Sequence, residues 1–546
     1  MQQQKLDSFL QLLEESDVAD IINEELGIYR QKNGRPSYNP YRLLATIIYG
    51  FSQNAKSLRQ IEERLNYDIR YMYLMEEEKP SYVTISKFLN NVVVKHSKYI
   101  YTCILKTLIK KYNICIDDVI IDGTKMEANA NKYNAVWKPT TYHNLLQVKV
   151  NELLRKYFKI PESKEKYIST EILSYLNDMA KKCEKEGIDI TMKTGRGIRT
   201  PPLLKDYITL YKYMVRCLNY EEQEKTCGPN RNSYYKTDKD ATAMCLKEDY
   251  YSGLGSNLHA AYNIQILVSK GLILDYYVCQ DRNDINTLIP LLSAFNDDYG
   301  HYPKRLCADA GYGTYPNYCF MREHGIKNYV KFGLWRQLVD GNTLPLYHFN
   351  ERDELICLNN KVAEPKKSIP GRRVRCAGNN LYLIENCAYC RYQKVCKLAL
   401  KNKSDPFRIF EANPDYTRLK NEAVENLLSP KGIEMRINRS AQVEGAFGII
   451  KQDMNYTRIQ RRGMENVTAE IMLVCLGLVI RKFFTIIDGT AKMEYWKMPE
   501  NLEPEKLPEI NYKKICERKT RYIGKNEKLR KGYKHKKGTT KSFLTT

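Results

Sequence analysis

Two kinds of residue in this chain occur in combinations that could do chemistry. The first is a carboxylate at the end of an apolar run. Val119-Ile120-Ile121 climbs to Asp122 and Gly123, and Leu306-Cys307-Ala308 climbs to Asp309, with Gly311 close behind. Such runs read as buried strands, and an α/β sheet carries its reactive groups where strands leave the core. Each Asp is then placed to hold a hard cation such as Mg²⁺, which takes oxygen ligands and keeps several waters. Asp122-Gly123 alone also reads as a plain turn. A third carboxylate, Glu444, falls in a helical segment with Arg436, Arg439, Gln442, Phe447 and Lys451. Glu444 and Lys451 are seven apart, so on a helix they share a face. The carboxylate could then join a metal site while the lysine meets a phosphate; the same pair also reads as an exposed ion pair worth little. Together, Asp122, Asp309 and Glu444 are a donor set for two divalent ions about 4 Å apart, which can activate a water or a 3′-hydroxyl for phosphodiester transfer.

The second combination is of thiols. Cys387-Ala388-Tyr389-Cys390 is a C-x-x-C pair, and Cys376 and Cys396 lie within about a dozen residues of it. Four thiolates suit a tetrahedral zinc ion, so Cys376, Cys387, Cys390 and Cys396 are candidate ligands of a structural Zn²⁺. The competing reading is four unrelated thiols in a cysteine-rich chain. Arg372, Arg373, Arg375, Arg391 and Lys394 lie among them, so such a site would fold a small insert and present basic residues. Cys103, Cys115, Cys307, Cys319 and Cys475 sit in apolar stretches and read as reduced core residues.

Composition narrows the partners. The chain has 546 residues, 87 Lys plus Arg against 64 Asp plus Glu, and a formal net charge of +23. A protein this basic is expected to bind a polyanion through counterion release. No run of about 18 apolar residues suggests a membrane span. The first residues, Met1-Gln2-Gln3-Gln4-Lys5-Leu6-Asp7, do not read as a signal peptide. Nucleic acid is therefore the expected partner, in the cytoplasm or nucleoid, and the 16 cysteines are not expected to form a disulfide framework.

These residues need elements to hold them. Residues 1–112 read as all-helical. Leu6, Phe9, Leu10, Leu12 and Leu13 have helical spacing, Asn39-Pro40 opens a helix, Ser57 has capping-box spacing to Gln60, and Pro80-Ser81 starts another. Short helices and tight turns in a basic protein suggest a DNA-binding module, with a dimerisation bundle as the alternative. Residues 113–335 read as the first part of a mixed α/β core, with a helical insert at about 140–235. There Leu258–Val268 and Leu272–Val278 form a hairpin across Ser269-Lys270-Gly271, a helix covers Ile285–Leu292 and another Asn317–Gly325, and a strand runs Ile326–Val330. Residues 336–430 read as a cysteine-rich insert, and 431–490 as the last part of the core, with an apolar helix from Ile471 to Phe484. Residues 491–546 read as a basic tail containing Lys513, Lys514, Arg518, Lys519, Arg521, Arg530, Lys531, Lys534 and Lys536.

In this order the segments resemble a bacterial insertion-sequence transposase of the DDE type. Ile121-Asp122-Gly123-Thr124-Lys125-Met126-Glu127-Ala128-Asn129-Ala130 is similar to the family's first-Asp motif. Ala308-Asp309-Ala310-Gly311-Tyr312-Gly313 is similar to the second, and Gln442-Val443-Glu444-Gly445-Ala446-Phe447-Gly448 with Lys451 to the Glu helix. Asp238-Lys239-Asp240-Ala241-Thr242 and Tyr262-Asn263-Ile264-Gln265 resemble the approach to the core hairpin, and Tyr38-Asn39-Pro40 and Pro80–Phe88 the N-terminal domain. The resemblance implies an RNase H-like mixed-sheet core, interrupted by helical and cysteine-rich inserts and preceded by the all-helical domain. It implies Mg²⁺ or Mn²⁺ in a two-ion site on Asp122, Asp309 and Glu444, with Lys451, Arg439 and Arg436 toward DNA. It further implies cleavage at terminal inverted repeats, strand transfer into target DNA, and a homodimer in the synaptic complex. A DNA-binding relic or repressor of the same fold, or an RNase H-like nuclease without strand transfer, is the alternative. Related proteins often carry a Tyr and an Arg shortly before the Glu; here Met435 and Arg436 stand where the Tyr would be sought, and Arg439 is offset.

Overall fold

Val119, Ile120 and Ile121 enter β1 (Asp118–Glu127) with all three side chains buried. The computed structural model describes residues 2–18, 20–22, 38–55, 57–192, 199–246, 258–342, 345–370, 374, 378–396, 405–493 and 496–508. β2 (Ala135–Trp137) and β3 (Ser233–Tyr235) pair as a small antiparallel ribbon. β4 (Thr242–Cys245) pairs with the first half of β5 (Leu258–Ser269), and β6 (Leu272–Cys279) with the second half, both antiparallel. β5 is antiparallel to β1, while β7 (Arg305–Ala308) and β8 (Lys327–Val330) add in parallel on the other side. The six-stranded sheet therefore runs β4-β5-β1-β7-β8, with β6 also on β5. The β5–β6 hairpin turns through Lys270 and Gly271, at φ +50° and +77°, as a two-residue hairpin turn between twisted strands requires.

One expectation about β1 fails. Gly123 does not break the strand, and Asp122 lies in its middle rather than at its end. A Cβ on Gly123 would stand 2.1 Å from Gln265 Nε2. The glycine is there to admit the Gln265 side chain across the β1–β5 ladder, not to turn the chain.

The N-terminal helices begin where their capping residues indicate. The Asn39 side chain accepts from the amides of Tyr41 (3.1 Å) and Arg42 (3.4 Å), opening Pro40–Ser52. Ser57 accepts from Gln60 (3.3 Å) and Ser81 from Thr84 (3.3 Å). The expected apolar C-terminal helix is longer than its apolar run, Met464–Ile487, and buried on nearly every side, as a helix apolar all round must be. It lies against Pro40–Ser52 so closely that a Cβ on Gly477 would meet the Phe51 carbonyl carbon at 3.0 Å. Arg481 Nε also donates to the Ser52 carbonyl at 2.5 Å. Helices and sheet thus share one core running from Leu6 to Phe483.

Among the described residues the helical insert is three helices, Thr140–Arg155, Ser169–Lys185 and Pro202–Cys227, around a separate core that includes Val150, Ile172, Met179 and Leu210. Among the described residues the regular structure of the cysteine-bearing region is mostly short strand: β9 (Tyr347–Phe349) with β10 (Leu355–Cys357), and β11 (Glu364–Lys366), β12 (Asn380–Ile384) and β13 (Arg408–Ala412) in a second small sheet. The helix Pro414–Leu428 follows and buries Leu419, Ala423 and Leu427 in the main core. Cys103, Cys307 and Cys475 are core residues as expected, but Cys115 is exposed and Cys319 only half-buried. Cys376, Arg372, Arg373, Arg375 and the basic residues from Lys513 to Lys536 lie outside the described residues. Among the described residues no helix is long and apolar enough to cross a membrane.

Candidate active site

The register of β1 on β7 sets the site. The last parallel pair is Ile121 with Ala308, and the next residue on each chain is an aspartate, Asp122 and Asp309. Two carboxylates therefore stand side by side past the end of β7. Asp122 is the more enclosed, with its side chain 22% exposed. Its Oδ1 accepts the Gly123 amide at 2.8 Å, and its Oδ2 accepts Arg439 Nη1 at 2.9 Å. Arg439 Nη2 lies 3.5 Å from Glu444 Oε1, so one guanidinium spans two of the three carboxylates. Burial pushes the Asp122 carboxyl above its usual range; Arg439 and the Gly123 amide oppose this, while the charges of Asp309 and Asp284 add to it. Asp309 is half exposed, with Lys331 Nζ 3.9 Å from its Oδ1.

The Glu444 segment is not the uninterrupted α-helix that its spacing suggested. Ser429 caps Pro430–Arg439, a π turn covers Ser440–Glu444, a short α segment Gly445–Gly448 follows, and a second π turn covers Ile449–Asp453. Positions five apart on an α-helix lie about 140° from each other. A π turn closes residue i onto i+5, so it brings Arg439 and Glu444 to the same side. Ser440 Oγ donates to Glu444 Oε2 at 2.9 Å and steadies it there. The same turns alter the face that Glu444 and Lys451 were expected to share; Lys451 lies in the second π turn. Arg436 is directed elsewhere. It pairs with Glu505 at 2.6 Å and stands over the Trp335 ring at 5.8 Å, outside the carboxylate group.

Asp284 belongs to this neighbourhood and was not singled out from sequence. It opens the 3₁₀ turn Asp284–Asn286 after β6. Its Oδ1 accepts from Asn263 Nδ2 at 2.8 Å and Gln265 Nε2 at 2.9 Å. Tyr312, three residues beyond Asp309, donates its hydroxyl to Gln265 Oε1. Asp284 and Asn263 line a cleft with Gly123, Thr124 and Lys125. The signal was present: Asn263 and Gln265 are two polar residues two apart in an otherwise apolar strand, so they project from one face and require buried partners.

The Asp238–Thr242 segment has a supporting part. The Asp238 carboxylate accepts the Tyr262 hydroxyl at 2.9 Å, and Asp240 Oδ2 accepts the Met464 amide at 2.8 Å. Gly463, at φ +80°, precedes that amide, so Asp240 supplies the missing acceptor at the start of the long apolar helix.

The donor set suits a hard divalent cation, being carboxylate oxygen from Asp122, Asp309 and Glu444. Arg439, 11% exposed and with its Nε buried and unpartnered, occupies the position of positive charge between two of them. Among the described residues no three His, Cys, Asp or Glu side chains stand close enough to grasp an ion as they are. The residues therefore fit the ion in donor type and charge, with Arg439 drawn aside.

Residues 356–484 match the family described as a transposase DDE domain, and residues 1–91 match the transposase domain DUF772. Both matched families are of transposases, and together the two matches support an insertion-sequence DDE transposase. The DDE-domain match takes in β12, β13, the Glu444 segment and most of the long apolar helix, while Asp122 and Asp309 lie N-terminal to it. No curated protein and no solved structure matches the chain.

Proposed function

We propose that the protein cleaves DNA at the ends of an insertion element and joins the freed 3′-hydroxyl to target DNA, with Asp122, Asp309 and Glu444 as the metal-holding active site. The observation that carries this reading is the placement of the three carboxylates. Asp122 and Asp309 follow the last β1–β7 pair, and Arg439 spans Asp122 and Glu444. A strand order with the antiparallel hairpin on one side of β1 and two parallel strands on the other supports an RNase H-like core. Mg²⁺ or Mn²⁺, when bound, would supply Lewis-acid activation of the attacking oxygen and charge neutralisation at the leaving one.

The chain's own residues do the rest. Burial of Asp122 disfavours its free charge, so the carboxyl gains most from a cation or a guanidinium beside it. Arg439, once released from Asp122, is within reach of a phosphate oxygen at the same place, and Lys331 beside Asp309 adds positive charge. The net charge of +23 supports DNA as the polyanion, with the helical N-terminal segment and basic tail as contributors and a homodimer as the synaptic unit.

The test is purified protein with a duplex carrying the element's terminal repeats and Mg²⁺. Strand nicking is expected, followed by joined products, and Asp122→Ala should abolish both while leaving the circular dichroism spectrum unchanged. Binding to the repeats without nicking under any divalent cation selects a repressor or relic. Cutting without joined products selects a nuclease.

A further inference from the structure

A second cluster lies away from the carboxylates. Cys357 ends β10, Cys387 and Cys390 flank a tight turn, and Cys396 closes the short helix Gln393–Cys396. All four line one cavity of about 20 Å³, together with Arg408 and Phe410 from β13. That is room for about one water-sized sphere. Two turns present the thiols. The Cys390 amide donates to the Cys387 carbonyl at 3.4 Å, and the Gln393 amide to the Cys390 carbonyl at 2.9 Å. Across the cavity, the Asn360 amide donates to the Cys357 carbonyl at 2.8 Å, with Asn360 at φ +55°.

Arg408 is an independent observation. Its Nε is buried without a partner, and its guanidinium lies against Cys396 and over the Phe410 ring at 4.7 Å. A guanidinium set against a cysteine sulfur favours the thiolate, the form that binds a metal. Four thiolates around a divalent ion carry a net charge of −2, which a neighbouring guanidinium partly offsets.

We propose that Cys357, Cys387, Cys390 and Cys396 hold one structural zinc ion, with Cys357 rather than Cys376 completing the set. As they stand, the thiols line the cavity without closing on a common centre, and Cys387 Sγ is turned to the Ile384 carbonyl at 3.5 Å. On binding, each of the four S–H bonds gives its proton to solvent and each thiolate sulfur bonds the metal, so affinity rises with pH and nothing is oxidised. The ion would tie β10 to the 387–396 segment and β13, and so brace the strands that precede the Pro414–Leu428 helix.

Metal content of the full-length protein, measured by mass spectrometry after gel filtration, tests this without DNA. One zinc per chain is expected in the wild type, in Cys376→Ser and in Asp122→Ala. Cys357→Ser and Cys387→Ser should each retain less than half. Because a cysteine variant could fail to fold, cobalt substitution of the wild type gives a second reading: intense sulfur-to-cobalt charge transfer and visible bands of tetrahedral cobalt are expected. Zinc retained in Cys357→Ser, zinc lost in Cys376→Ser or Asp122→Ala, iron in place of zinc, or no metal in the wild type would overturn the proposal. Because Asp122→Ala is read separately, failure of the carboxylate site and failure of the thiolate site cannot be confused.

Discussion

At the scale of single residues, Arg439 and Asp284 carry the sharpest consequences. Arg439 faces Asp122 at 2.9 Å with little access to water. Removing one partner of an enclosed pair leaves an uncompensated charge, at a cost of about 3–5 kcal/mol. Arg439→Gln should therefore lower the melting temperature in EDTA, and millimolar Mg²⁺ should restore part of the loss, because the cation takes over the compensating charge. A variant whose melting temperature ignores Mg²⁺ would separate Arg439 from the ion site. Asp284→Asn should keep the fold, since an amide can retain the hydrogen-bonded position beside Asn263 and Gln265, yet weaken divalent-ion binding through the lost charge near Asp122. Calorimetric titration with Mn²⁺ would show this as a raised Kd. A third residue sets a pH dependence. Asp275 is fully buried against Lys98, and burial pushes its carboxyl up to about 6. The folded value exceeds the ordinary one, so the stability linked to this group is fully present below about pH 4 and is lost as pH rises through about 6. The loss is on the order of 2–3 kcal/mol. Asp275→Asn should remove that slope from urea midpoints measured between pH 4 and pH 7.

At the scale of elements, the close crossing of Pro40–Ser52 with Met464–Ile487 is the most exposed to test. Gly477→Leu would drive a side chain into the Phe51–Ser52 backbone and should cost roughly 1–3 kcal/mol in urea unfolding. An unchanged midpoint would mean that the two helices are not so closely packed. Much at this scale was legible from local chemistry. Asn39, Ser57 and Ser81 announced their helices because capping depends only on a side-chain oxygen and the next turn's amides. The β5–β6 hairpin was legible because Lys270-Gly271 sits between two apolar runs. What failed depended on distant partners. Asp122-Gly123 reads as a strand end or turn because the side chain that Gly123 admits, Gln265, lies more than a hundred residues away. The π turns leave no mark on helical periodicity, so the break in the helix around Glu444 is not legible in the sequence. Asp284 is not legible in the sequence because no apolar run leads into it, and the approach of Cys357 to the C-x-x-C pair is not because no spacing marks it.

At the scale of the whole molecule, charge and convergence meet. With a net charge of +23, DNA binding should weaken steeply with salt, the logarithm of affinity falling linearly with the logarithm of salt concentration. Fluorescence anisotropy should show that slope for terminal-repeat and unrelated duplexes alike; a flat profile would remove the electrostatic basis of the reading. The central claim is that Asp122, Asp309 and Glu444, contributed by two neighbouring strands and a π turn far along the chain, act on the same cation. Electron paramagnetic resonance of Mn²⁺ added to the protein tests it most directly, in the wild type and in Asp122→Ala, Asp309→Ala and Glu444→Ala. The account predicts that every one of the three substitutions weakens or abolishes the bound-Mn²⁺ signal while the fold is kept. Undiminished Mn²⁺ binding in any one of them would contradict a shared site.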